Sequence, residues 1–170
     1  MKESTMKFLF IGDRKTGKTS VAHLMCNTVN EILLPTIGMQ FHTSPSFLHK
    51  IWDLSGDATS QSLIKAVIND CHAIVYFCVD ETSFQNIKKI WYFPNDKRKY
   101  LCVKCQPTVE MKLFAQENKI KFINASSNDI VANLLAKYEW QKYTMTKPWC
   151  CFPFLYKKHK KYDRLLVSSQ

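Results

Sequence analysis

Apolar residues fall along the chain as short continuous runs that alternate with sets at helical spacing. Lys7 to Ile11 holds the run Phe8-Leu9-Phe10-Ile11, the pattern of a strand buried on both faces. Val21, Leu24 and Met25 then recur at helical spacing, and the helix they predict reaches about Cys26. After a loop over Glu31 to Thr36, the stretches Ile37 to Thr43 and Phe47 to Leu54 read as a hairpin turning at Ser44-Pro45-Ser46. Leu63, Ile64, Val67 and Ile68 predict a second helix, and Ala73 to Val79, free of charge, a central strand. Phe84, Ile87, Ile90 and Trp91 mark a third helix stopped by Pro94. Tyr100 to Val103 reads as a strand, Glu110 to Asn118 as a helix and Lys121 to Ile123 as a strand, with a last helix from Ile130 to about Tyr143. That order predicts an α/β fold, a mostly parallel central sheet with helices on both faces. Ligands of such sheets bind at the carboxyl ends of the strands.

The segment between the first strand and first helix carries the clearest chemistry. Gly12-Asp13-Arg14-Lys15-Thr16-Gly17-Lys18-Thr19 matches G-x-x-x-x-G-K-[ST], the phosphate-binding P-loop. Its glycines let backbone N–H groups curl around phosphate oxygens, and Lys18 reaches the β- and γ-phosphates. Thr19 offers a hydroxyl to Mg²⁺, Ser20 extends the cradle, and the helix that starts there points its positive end at the anion. Two later segments fall where a nucleotide switch needs them. Thr36, in Pro35-Thr36-Ile37-Gly38, lies in the loop after the first helix, where a threonine can close on Mg²⁺ and the γ-phosphate. Ile51-Trp52-Asp53-Leu54-Ser55-Gly56 ends the next strand with an acid to hold the Mg²⁺ shell and a glycine N–H to sense the γ-phosphate.

Composition bounds the rest. With 170 residues, 46% hydrophobic and 22% charged, the chain has the make-up of one globular domain with a tail. No apolar run approaches the ~18 residues of a membrane span, and charges follow the first apolar stretch too soon for a signal peptide. The seven cysteines include Cys26, Cys71 and Cys78 within apolar segments, which reads as buried thiols in a reduced, cytoplasmic compartment. Cys102-Val103-Lys104-Cys105 has C-x-x-C spacing but falls on a strand and lacks a second ligand pair, so neither a metal nor a redox role is expected. The formal charge of +10 is concentrated at the end: Lys142 to Gln170 holds seven Lys/Arg against one acid, Asp163. This distribution argues against nucleic acid as the partner of the body and for an anionic surface as a partner of the tail.

On these residues the chain resembles the Ras superfamily of small GTPases, the Rab branch most of all. The similar segments are Ile11-Gly12-Asp13, Pro35-Thr36-Ile37-Gly38 with Phe41, Ile51-Trp52-Asp53, and the run from Cys71-His72-Ala73-Ile74-Val75 to Ser83-Phe84-Gln85-Asn86-Ile87-Lys88. The resemblance covers residues 6 to 143 and implies a pared-down G domain over 1–143, with a shortened hairpin between its second and third strands and shortened loops, and a tail over 144–170. It implies a monomeric Mg²⁺-GTP/GDP switch with Rab-type effectors and regulators. Gly12, Asp13, Arg14, Lys15, Thr16, Gly17, Lys18, Thr19 and Ser20 would surround the phosphates, and Thr19, Thr36 and Asp53 would hold the metal.

The departures from the family pattern carry equal weight. The glutamine that orients the attacking water is replaced by Asp57, beside Gly56, which implies slow hydrolysis resting on Lys18 and the Gly56 N–H. Arg14 and Lys15 stand where the family has small residues; they crowd the space of an external arginine finger, supply charge themselves, or point to solvent. The guanine signature aligns with Val103-Lys104-Cys105-Gln106, so Lys104 lies along the base while Gln106 replaces a charged acceptor, which weakens guanine preference about ten- to a hundredfold. The later signature becomes Ser126-Ser127-Asn128. In place of prenylated terminal cysteines, Cys150-Cys151 stands among Trp149, Phe152, Phe154 and Leu155, ahead of Lys157, Lys158, Lys160 and Lys161. That stretch suits peripheral contact with an anionic membrane, or packing of the aromatics back on the domain.

Overall fold

A computed structural model describes residues 5–28, 35–45, 48–57, 61–90, 94–124, 126 and 129–135. The chain divides after Leu134, and the first unit, Met1–Leu134, holds the sheet. Six strands, β1 (Met6–Gly12), β2 (Met39–Thr43), β3 (His49–Leu54), β4 (Ala73–Cys78), β5 (Arg98–Val103) and β6 (Lys121–Asn124), alternate with four helices. These are α1 (Lys18–Cys26), α2 (Gln61–Val67), α3 (Glu81–Lys89) and α4 (Val109–Glu117), with a 3₁₀ turn at Ile68–Asp70 and a further helical stretch over 129–135. The strands form one sheet in the order β2-β3-β1-β4-β5-β6. Only β2 runs antiparallel, against β3.

Alternation along β1 divides the core. Leu9 and Ile11 join Ile74, Tyr76, Leu101 and Val103 under Ile64 of α2, Phe84 and Ile87 of α3 and Met111 of α4. Phe8 and Phe10 face the opposite way, with the Phe10 ring tilted against that of Phe77 at 5.0 Å between centroids, and α1 packs against β1, β2 and β3. Every residue of β4 is buried, as its uncharged sequence requires. β1 lies between β3 and β4, where the strand order reverses, so its carboxyl end opens on the crevice that α/β sheets use for ligands.

Two boundaries differ from the sequence pattern. Ile37 is outside β2 and 92% exposed, because Gly38 at φ 66 turns the chain and hands its carbonyl to the Ser55 N–H at 2.8 Å before pairing begins. α3 ends at Lys89 with an extended Ile90, so Pro94 marks an outer limit, not the stop itself. Cys105 lies just past β5, and among the described residues no group of three His, Cys, Asp or Glu could hold a metal ion. Among them, too, no helix is long and apolar enough to cross a membrane. The loop over 29–34, the turn residues Ser46 and Phe47, Trp91, the last helix past 135, Ser127 and Asn128, and the tail with Cys150 and Cys151 lie outside the described residues.

Candidate functional site

The loop from Gly12 to Gly17 needs backbone that few residues tolerate. Gly12 sits at φ 152, Lys15 at φ 62 and Gly17 at φ 87. Lysine at a left-handed position is uncommon, and its side chain is exposed. Gly17 caps α1 without any side-chain hydrogen bond, so no capping side chain takes up the first N–H groups of the helix. Thr16 is buried and its Oγ1 donates to the Asp13 carbonyl at 2.9 Å, while Asn86 of α3 donates to Asp13 Oδ2 at 2.7 Å. The loop is therefore tied both to itself and to α3.

Lys18 is buried, and its Nζ donates to the carbonyls of Gly12 at 2.9 Å and Asp13 at 2.7 Å, which lays the ammonium across the loop. Burial pulls its pKa down, while the charges of Asp53, Asp13 and Asp57 oppose that shift. Starting from Thr19, the next residue along the chain, the three predicted metal ligands meet although they come from three separate segments. Thr19 Oγ1 donates to Asp53 Oδ2 at 2.5 Å, Thr36 Oγ1 donates to the same oxygen at 3.2 Å, and the two hydroxyls are 3.2 Å apart. Asp53 is fully buried, and its Oδ1 has no hydrogen-bond partner among the described residues. Burial raises its pKa, against hydrogen bonds from Thr19 and Thr36 and the charges of Lys18 and His42. An orphaned carboxylate oxygen beside two hydroxyls is a set of hard oxygen donors, and it fits Mg²⁺.

Ser20 is half-buried on the first turn of α1. Lys104 reaches back over the loop, so that a Cβ on Gly17 would meet its Nζ. Burial lowers the pKa of Lys104. Gln106 is exposed. Ser126 Oγ donates to Asp129 Oδ2 at 2.6 Å, so its hydroxyl is engaged in starting the stretch 129–135.

Three contacts answer to no sequence motif. Asn86, on α3, is one. The second is His42 of β2, buried with Nε2 4.0 Å from Asp53 Oδ2 and its ring 5.1 Å from that of His23 on α1. The third settles where Arg14 points. Its Nε lies 2.5 Å from Asp57 Oδ1 and its Nη2 donates to Oδ2 at 2.7 Å, a two-pronged pair joined by Ser55 Oγ at 3.0 Å. Sequence separation of 43 residues and the lack of any shared motif hid it.

Comparison with known proteins agrees with this geometry at the level of the domain. A family model described as Roc, the Ras of Complex domain of DAPkinase, matches residues 7–105 of the 170. The match spans the P-loop, Thr36, Asp53, Asp57 and Lys104, and stops short of Gln106 and Ser126. No curated protein matches the chain.

Proposed function

The chain belongs to the Roc family of Ras-like GTP-binding domains, and on that premise we propose that it is a Mg²⁺-dependent guanine-nucleotide switch with slow hydrolysis and Rab-like partners. The observation that carries the proposal is the meeting of Thr19, Thr36 and Asp53 beside Lys18, since three motif segments far apart in sequence build one oxygen-rich site next to a phosphate loop. The backbone N–H groups of residues 12–20 bind the phosphates, Lys18 neutralises their outer charge, and Thr19, Thr36 and Asp53 hold Mg²⁺. When bound there, Mg²⁺ would supply charge neutralisation for the nucleotide phosphates. Gly56 offers its N–H to the terminal phosphate, and Lys104 lies along the base while Gln106 contributes a single neutral acceptor. Thr36 joins the site only while its loop is closed, which makes that loop the reporter of the bound nucleotide.

Support for protein effectors comes from the neighbouring surface. Ile37 is 92% exposed and Phe41 51% exposed, with Phe41 against Trp52 at 5.7 Å. Exposed apolar residues of this size beside a nucleotide-sensing loop are suited to a partner that reads its state. A second reading, a non-hydrolysing binding module that competes for Rab partners, is favoured by Asp57, because a carboxylate held by Arg14 cannot orient a water as an amide does.

Denaturing the purified protein and identifying the released nucleotide tests the first reading, followed by single-turnover hydrolysis of Mg·GTP. Released GDP or GTP, nucleotide exchange speeded by EDTA and a slow but measurable turnover are expected. Bound GTP unchanged over hours selects the binding module. A site that micromolar GTP, GDP and ATP all fail to fill overturns both.

A further inference from the structure

Arg14 and Asp57 form an ion pair that on exposure alone would be unremarkable, with side chains 69% and 36% exposed. Its position sets it apart. Gly56 is pressed so closely on the loop that a Cβ there would run into the backbone of Asp13 and Arg14. The end of β3 is therefore stitched over the P-loop twice, by backbone packing at Gly56 and by the fork of Arg14 on both carboxylate oxygens of Asp57. Ser55 fixes the same carboxylate from the β3 side. The stitched region is also the neighbourhood of the Lys18 ammonium, which feels the charge of Asp57.

We propose that Arg14 and Asp57 act as a charge clasp that discriminates the terminal phosphate, closed over a nucleoside diphosphate and opened by a triphosphate. The proposal rests on the nucleotide-switch reading and adds to it which residues set the preference between the two forms. A diphosphate ends at the Lys18 end of the loop and leaves the clasp undisturbed. A third phosphate brings its negative oxygens towards Asp57, which stays ionised because Arg14 and Ser55 hold its pKa down. One exchange relieves that repulsion. The guanidinium fork fits phosphate as well as carboxylate, so Arg14 passes from Asp57 to the terminal phosphate and the Asp57 carboxylate turns away from it. The triphosphate must therefore displace an intramolecular partner that the diphosphate does not meet, and the resting preference is for the diphosphate.

The test compares affinities for Mg·GDP and for a Mg-bound non-hydrolysable GTP analogue in the full chain, its Asp57→Asn variant and its Arg14→Gln variant. Asp57→Asn removes the repelling charge and loosens Arg14, and should raise analogue affinity relative to GDP about tenfold or more. Arg14→Gln leaves Asp57 facing the terminal phosphate with no cation to mediate, and should lower the same ratio by a similar factor. Binding of GDP by both variants shows that the site is folded. A ratio that stays within about twofold of the parent in both variants, or moves the same way in both, overturns the clasp and leaves the nucleotide reading standing. A parent protein that binds neither GDP nor the analogue overturns the nucleotide reading, and the clasp with it.

Discussion

At Gly12 the chain has a φ of 152, and a Cβ there would clash with the Phe77 carbonyl oxygen. Alanine there meets strained backbone and a strand that cannot yield, since Phe77 lies within the fully buried β4. Gly12→Ala should therefore lower unfolding free energy by about 1–3 kcal/mol, measured by urea titration, and an unchanged midpoint would show that β4 gives way. Residues of this kind were legible because the loop geometry demands them at fixed spacing. Thr19 and Asp53 were legible for the same reason, each belonging to a local pattern with a known chemical need. Arg14 with Asp57, and His42 beside Asp53, were not. Those contacts depend on which side chains two separate segments bring opposite each other, and no local periodicity records that. Arg14 taken alone left crowding, compensation and solvent exposure open; only the position of Asp57 decides among them.

The succession of strands and helices along the chain was readable, because β1, β4 and β5 are apolar runs and α3 an amphipathic set between them. Ends were less readable. The pattern carries the β-branched Ile37 into β2, yet Gly38 decides where pairing starts, and helix α3 stops at its own C-terminus ahead of Pro94. At the other end of α3 a reciprocal cap is formed: Ser83 N donates to Asp80 Oδ1 at 2.7 Å, and Asp80 N donates back to Ser83 Oγ at 3.1 Å. The hydrogen bonds from Ser83 hold the Asp80 carboxyl below its ordinary pKa. A depressed carboxylate contributes stability that is fully present above its unfolded pKa and is lost as pH falls through the folded one. The stability gap between the parent and Asp80→Ala should accordingly be full at neutral pH and close as the solution is acidified below the ordinary carboxylate range. A gap that is flat with pH in chemical denaturation would mean that the carboxylate charge plays no part in the cap. The element matters to the site, because α3 carries the Asn86 that holds Asp13.

Across the molecule, the residues around the phosphate loop come from β1, α1 and β3 at the middle of the sheet, with Thr36 joining from the preceding loop. A ligand held there bridges segments whose separation is the global unfolding reaction, so its binding should register in the melting temperature of the whole unit. At a hundredfold excess over Kd, Mg·GDP should add about 2.7 kcal/mol, or about 5–10 °C for a domain of this size. Asp53 gives this effect a second, opposite sign. In the protein alone it is a fully buried acid with an orphaned oxygen, and burial already raises its pKa, so its charge opposes folding. Asp53→Asn keeps the shape and removes that charge, and should melt no lower than the parent when nucleotide and Mg²⁺ are both withheld. If Asp53 holds Mg²⁺ as proposed, the order should reverse with Mg·GDP, because the variant lacks the anionic ligand that would recover the cost of burying Asp53. GDP with EDTA separates the two contributions, since the variant should then gain as much as the parent. Thermal melts of both proteins in the three conditions decide the matter: if Asp53→Asn gains as much as the parent from Mg·GDP, Asp53 does not hold the metal, and the meeting of Thr19, Thr36 and Asp53 is only structural.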